Sequence, residues 1–289
     1  MKNKLIAITI LLAGFSVVLT GQEPRFKISL AEWSLNRALF KKTITNLEFP
    51  GIAKRDYGLD AVEYVSTFFA GKGQDTTYLK QLKDSCTKYG VRSLLIMVDG
   101  EGNLADTSAA RRQKAVENHY KWIKAAQFLG CHSIRVNAAG RGTPEQMKVA
   151  AIDGLSKLAD YALPFGINVI VENHGGYSSI GTWLSDVMKN VNRRNCGTLP
   201  DLGNFYEYDR YQGVKDMMPY AKGVSGKTHE FDENGNEKQI DYERMLKIVA
   251  DAGYRGYIDV EYEGAKLSEP DGIKASIALV KKVIAPYNK

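Results

Sequence analysis

The sequence predicts a single (β/α)8 TIM barrel, and three observations carry that prediction. Short apolar runs alternate with amphipathic stretches eight times along the chain, the pattern of a parallel sheet with helical crossovers. With a leader set aside, about 265 residues remain, the size of one such barrel with no second domain left over. A G-x-G-x-x-G turn after the first run, which an open dinucleotide-binding sheet would carry, is absent.

The leader is residues 1–21. "MKNK" is basic, "LIAITILLAGFSVVL" is apolar but short for a membrane span, and "TGQ" brings small residues. That order is a secretory signal peptide, so residues 22–289 are expected as the exported, mature barrel. No later segment is apolar for long enough to cross a bilayer. The units then follow in order. "FKISLAEW" is the first strand, with a Pro/Gly-interrupted helix to "KRDYG"; "LDAVEYV" precedes the helix "DTTYLKQLKDSCTKYG". "VRSLLIMVDG" leads to "TSAARRQKAVENHYKWIKAAQFLG", "CHSIRVNAAG" to "TPEQMKVAAIDGLSKLADYALPFG", and "INVIVENHGG" to "TWLSDVMKNVN". "CGTLPDLGN" leads to a tyrosine-rich helix, "AKGVSGKTHEF" to "DYERMLKIVADAGY", and "GYIDVEYEG" to "EPDGIKASIALVKKVIAPY". Helices closing on "KYG", "FLG", "PFG" and "AGY" place glycine where a left-handed stop is wanted.

Charge and cysteine content exclude several classes. Loss of Lys2 and Lys4 with the leader lowers the formal charge from +6 to +4, and the basic residues are scattered. A nucleic-acid groove is therefore not expected. Cys86, Cys131 and Cys196 stand far apart without zinc-type spacing, and are read as small buried residues rather than a disulfide.

In such a barrel chemistry gathers where the strands finish. The last four finish on Glu172 ("VIVENH"), Asp201 ("TLPDLGN"), His229 ("GKTHEF") and Glu261 ("DVEYEG"), spaced by 29, 28 and 32 residues. One metal-type side chain per consecutive unit would converge on half of the rim. Three carboxylates and one imidazole make a hard, anionic set suited to one divalent ion, Mn²⁺ or Mg²⁺ first, with Co²⁺ or Zn²⁺ possible. Taken singly each residue has a plainer reading: a helix cap, a structural histidine, or, for Asp201 beside Pro200 and Gly203, a turn.

The motifs "VENHGG", "LPDLGNF", "KTHEF" and "VEYEG" resemble those of the xylose-isomerase-like barrels, the sugar (phosphate) isomerase/epimerase superfamily. The resemblance implies that Glu172, Asp201, His229 and Glu261 bind one divalent metal and that the two glutamates also handle a proton. Endonuclease relatives hold three zinc ions with many histidines. This chain has only His119, His132, His174 and His229, with Asn204 where such members place another histidine, so a trinuclear site is not expected.

Side chains two apart on a strand share a face, which extends the list. His174 and Asn204 are expected beside the substrate. Lys227 is either a proton donor or hydroxyl anchor, or a buried partner of Asp259. Trp33, Glu63, Asp99 and Asn137 end the first four strands; Trp33 offers a platform for a sugar's C–H face, and Glu63 and Asn137 would bond hydroxyls. The tyrosine-rich helix is read as ordinary packing, with a sugar-binding lid or a contact in a homo-oligomer as alternatives. The function expected is a metal-dependent isomerase or epimerase of a free keto-sugar or cyclitol, working through an enediolate with Glu172 and Glu261 as acid and base. Export and the lack of a glycine-rich phosphate cradle disfavour a sugar phosphate. The alternatives are a keto-glycoside lyase or dehydratase on the same site, and an exported carbohydrate-binding barrel without catalysis.

Overall fold

Each apolar run of the sequence becomes a short strand paired in parallel with its neighbours in one sheet. The computed structural model describes residues 23–289; the leader expected over residues 1–21 lies outside them. The strands are β1 (Phe26–Ala31), β2 (Ala61–Val65), β3 (Arg92–Met97), β4 (Ser133–Val136), β5 (Asn168–Glu172), β6 (Cys196–Leu199), β7 (Val224–Thr228) and β8 (Gly256–Tyr262). They form one sheet in the order β6-β5-β4-β3-β2-β1-β8-β7. The seam between β6 and β7 is bridged at Thr198–Ala221 and Asp201–Ser225, where the Leu202 N–H donates to the Ser225 carbonyl and the Ser225 N–H to that of Pro200. The sheet thus curls into a TIM barrel.

The helices are α1 (Asn36–Phe40), α2 (Phe49–Tyr57), α3 (Thr76–Tyr89), α4 (Ala109–Leu129), α5 (Pro144–Ala162), α6 (Gly181–Val191), α7 (Arg210–Met217), α8 (Tyr242–Asp251) and α9 (Glu269–Ile284). Side chains of Asp75, Thr143, Asp209, Asp241 and Ser268 cap the N-termini of α3, α5, α7, α8 and α9. Gly90 and Gly130 stop α3 and α4 in the left-handed region. One expectation changes: the single interrupted helix after β1 is a 3-10 turn (Glu32–Leu35) followed by the two helices α1 and α2. Among the described residues no helix is long and apolar enough to cross a membrane. The three cysteines are buried and unpaired.

The interior of the barrel is divided. Ala31, Val65, Leu95, Met97, Ile170 and Leu199 form a closed apolar layer with Trp33 and Phe68 against it. The sector around β7 and β8 is polar instead: Ser225, Lys227, Asp259 and Glu261 are all buried. A barrel core ordinarily fills with branched apolar side chains, so a buried polar sector marks where the fold gives up packing for chemistry.

Candidate acid–base and metal centre

Glu172 is the last residue of β5, Asp201 follows β6 by two residues, and Glu261 is the sixth residue of β8. All three are buried, and each offers an oxygen within 4.8 Å of the others. The sequence brings them together because the fifth, sixth and eighth βα units each carry an acid at or just past the strand end. His229, the fourth expected ligand, follows β7 directly and is half-buried; it is not in that group.

Two residues hold the loops that carry the acids. The Asn173 amide donates to the Asp201 carbonyl at 2.9 Å and its oxygen accepts the Asp201 N–H at 2.7 Å, tying the tip of β5 to that of β6. Asp201 Oδ1 accepts the N–H groups of Gly203 and Asn204 at 2.7 and 2.9 Å. The turn expected of this acid therefore exists, and it aims the carboxylate. Ser225 Oγ lies 3.0 Å from Asp201 Oδ2 and 3.1 Å from Glu261 Oε2.

Cations and amides complete the surround. Arg135 of β4 places Nε 2.8 Å from Glu172 Oε2 and Nη1 2.8 Å from Asp99 Oδ1. Asn204 Nδ2 donates to Glu172 Oε1 at 2.9 Å. Lys227 Nζ stands 3.3 Å from Asp201 Oδ2, 3.5 Å from Glu261 Oε1 and 3.3 Å from Glu263 Oε1. Arg135, Ser225 and Glu263 were not anticipated. The signal for Arg135 lay in "SIRVN", where an arginine inside a short buried strand sits two residues before the expected Asn137 and so shares its face.

This surround drives the two glutamates apart. Burial pushes the Glu172 carboxyl up to about 8, the Arg135 guanidinium opposing and Asp201 adding to the shift. Burial also works against charge at Glu261, but Lys227, Arg135 and Ser225 outweigh it and hold this carboxyl below its usual range. Around neutral pH one is a proton carrier and the other a carboxylate, the division that acid–base chemistry needs.

Other expected residues fall at different depths. Asn137 is on the rim, its amide donating to Asp99 Oδ1 at 2.8 Å. His174 is exposed on the loop after β5. Trp33 sits in the 3-10 turn, packed on Phe68 and Phe40 at 5.9 and 6.0 Å between ring centroids. Glu63 is a correction: it was placed at the end of its strand to meet hydroxyls, but β2 runs on to Val65, leaving Glu63 4% exposed inside the barrel. There the Ser29 hydroxyl donates to it at 2.9 Å. The Lys227–Asp259 pair is a second correction. In the β7–β8 register Asp259 lies opposite Ser225 while Lys227 lies opposite Glu261, so the lysine reaches the layer above. Asp259 instead accepts the Gly226 N–H at 2.9 Å. Burial pushes Glu63 up to about 7 and Asp259 well above its ordinary range, the neighbouring Glu63 charge adding to the rise at Asp259.

A family profile described as a xylose isomerase-like TIM barrel matches residues 53–283. The chain belongs to that family. Among curated relatives, the C-glycoside deglycosidase alpha subunit of Arthrobacter globiformis is 43% identical over 70 residues, 23% of this chain and 19% of the relative. The 3'-dehydrocarminate deglycosidase alpha subunit of a Microbacterium species is 37% identical over 59 residues, 20% of this chain and 17% of the relative. The matches thus span about a fifth of each relative's length. Among solved structures, the IOLI protein with a bound zinc atom superposes with a TM-score of 0.73 at 16% identity, over 90% of this chain and 99% of that one. A 3-keto-D-glucoside 4-epimerase from E. coli superposes with a TM-score of 0.66 at 14% identity, over 89% and 99%. These likenesses show the fold.

The buried acidic triad of this xylose isomerase-like barrel could hold a metal ion. Its donors are hard oxygens at a spacing that suits a divalent cation. The fit is incomplete as the side chains stand, because the Lys227 ammonium already lies against Asp201 and Glu261.

Proposed function

We propose that this barrel is a keto-sugar or cyclitol isomerase or epimerase that moves the proton on a carbon next to a carbonyl, through an enediolate. The observation that carries the reading is the buried pair of glutamates pushed in opposite directions, Glu172 up and Glu261 down, in one cluster. Glu261 removes the α-proton as the carboxylate and Glu172 donates one as the acid. Return of the proton to the neighbouring carbon isomerises; return to the opposite face epimerises. Arg135 and Asn204 orient Glu172, while Asn137, Asn204, His174 and Lys227 would bond sugar hydroxyls and Trp33 would take a C–H face. Were the Lys227 ammonium to withdraw from Asp201 and Glu261, Glu172, Asp201 and Glu261, with His229 as an outer donor, would be the residues to hold an ion such as Mn²⁺ or Mg²⁺, with Co²⁺ or Zn²⁺ as alternatives, and such an ion would supply polarisation of a carbonyl.

One observation favours a second reading, a lyase of keto-glycosides. Phe40 is 58% exposed, meets Phe68 at 5.2 Å between centroids, and lines a cavity of about 460 Å³ with Ile44, Leu47, Phe68 and Tyr78 on the same rim as Trp33. An apolar group attached to the sugar has a surface there. The same proton abstraction would then expel that group as a β-substituent, in line with the names of the curated relatives. No feature of the site favours the non-catalytic carbohydrate-binding alternative. Incubation with ketoses, inositols and keto-glycosides, followed by NMR of the products, tests both readings. Conversion of the first two supports isomerisation or epimerisation, release of a free aglycone supports the lyase, and turnover of none contradicts both.

We also propose export, with a mature terminus near Gln22, from the leader-like composition of residues 1–21. N-terminal sequencing of protein from the native host should find Met1 absent; an intact Met1 on cytoplasmic protein would contradict it and readmit phosphorylated substrates.

A further inference from the structure

Lys227 stands on the ground that an ion of the acidic triad would need. Its side chain is 2% exposed, and its ammonium lies 3.3 Å from Asp201 Oδ2 and 3.5 Å from Glu261 Oε1, two of the three clustered carboxylates. It also reaches Glu263 Oε1 and Asn204 Oδ1 at 3.3 and 3.4 Å. The third carboxylate, Glu172, is matched by Arg135 and by the Asn204 amide. The Ser225 hydroxyl bridges the other two acids from below.

The lysine is built in rather than resting there. The strand register sets it directly opposite Glu261. A Cβ on Gly203 would come within 3.1 Å of Lys227 Cγ and Cδ, so the chain lacks a side chain where the lysine stem passes. A divalent ion needs carboxylate oxygens at about 2.0–2.6 Å. Bound between Asp201 and Glu261, it would press against an ammonium that shares those oxygens, and one cation would have to leave.

We infer that Lys227 is the resident cation of this site: its ammonium and a divalent ion exclude each other at Asp201 and Glu261, so the chain supplies internally the positive charge that the fold elsewhere accepts as metal. The inference concerns the same carboxylates as the proposed function, and rests on that reading only for the consequence that the ammonium faces the oxyanion of the substrate. The competition itself is read without substrate.

The test is calorimetric titration of Mn²⁺ into the metal-stripped chain, wild type beside Lys227→Met and the double variant Lys227→Met/Asp201→Asn. The wild type should bind Mn²⁺ weakly. Lys227→Met should bind one ion tighter by a factor of at least about ten, since a unit charge a few ångströms away has been removed. The double variant should lose that gain, which places the ion at the triad. Unchanged or weaker binding by Lys227→Met overturns the inference. Should that variant fail to fold, elemental analysis of wild type dialysed after growth in Mn²⁺ decides: far less than one ion per chain supports the inference, and a stoichiometric ion overturns it. Failure of the proposed chemistry would show separately, as an absence of turnover with either cation, and would leave the titration untouched.

Discussion

Arg135 and Glu172 are buried together, one on β4 and the other at the tip of β5, with Nε and Oε2 2.8 Å apart. The guanidinium also serves Asp99, so its removal strands two acids at once. Arg135→Met should destabilise the fold by about 3–5 kcal/mol, the range for breaking a buried pair, and a shift below about 1 kcal/mol in urea unfolding would show the pair to be solvated. Glu32 gives a second test at this scale. It is fully buried, its Oε2 accepts the Val65 N–H at 2.9 Å and its Oε1 has no partner. Burial raises its carboxyl from 4.5 to about 8 against the pull of that N–H. A raised acid favours the folded state in its neutral form, so its contribution is complete below pH 4.5 and is lost as pH climbs through about 8. Wild type should therefore lose melting temperature between pH 5 and 8 more steeply than Glu32→Gln; parallel curves would contradict the assignment.

At the scale of the element, β7 and the turn after β8 decide what the site contains. Alternation along "VSGKTHEF" was enough to put Ser225, Lys227 and His229 on one face. It could not say which of them reaches the acids, because reach depends on register with β8, and register is a property of two strands. That is why His229 was expected with the acids and Lys227 was left between a role beside the substrate and a pairing with Asp259, while the structure seats the lysine among the acids. Glu63 was misplaced for a related reason: a strand end read from composition was two residues short. Gly264, just after β8, marks a close approach that only the folded structure shows. A Cβ there would stand 1.9 Å from the His229 carbonyl, so the backbones after β7 and β8 touch at this point. Gly264→Ala should destabilise by about 1–3 kcal/mol through overpacking and lower activity with it. A variant of wild-type melting temperature and activity would show that the two loops part freely.

Over the whole molecule, the eightfold alternation and the Glu172, Asp201, His229 and Glu261 series ending the last four units were visible in one dimension because a barrel repeats its unit and puts its chemistry at a fixed end of each. The division of the interior was not, since it depends on strands far apart in sequence: the apolar layer draws on β1, β2, β3, β5 and β6, while the polar sector of Ser225, Lys227, Asp259 and Glu261 draws on β7 and β8. The central claim is that Glu261 takes and Glu172 gives a proton beside a substrate carbonyl. The most direct measurement is turnover in D₂O of a keto-substrate by wild type, Glu172→Gln and Glu261→Gln, with the product read by NMR. Wild type should place deuterium on the carbon next to the carbonyl, and each variant should lose about 10²–10⁴-fold in rate while remaining folded. Product without deuterium, or both variants turning over at the wild-type rate, would contradict the account.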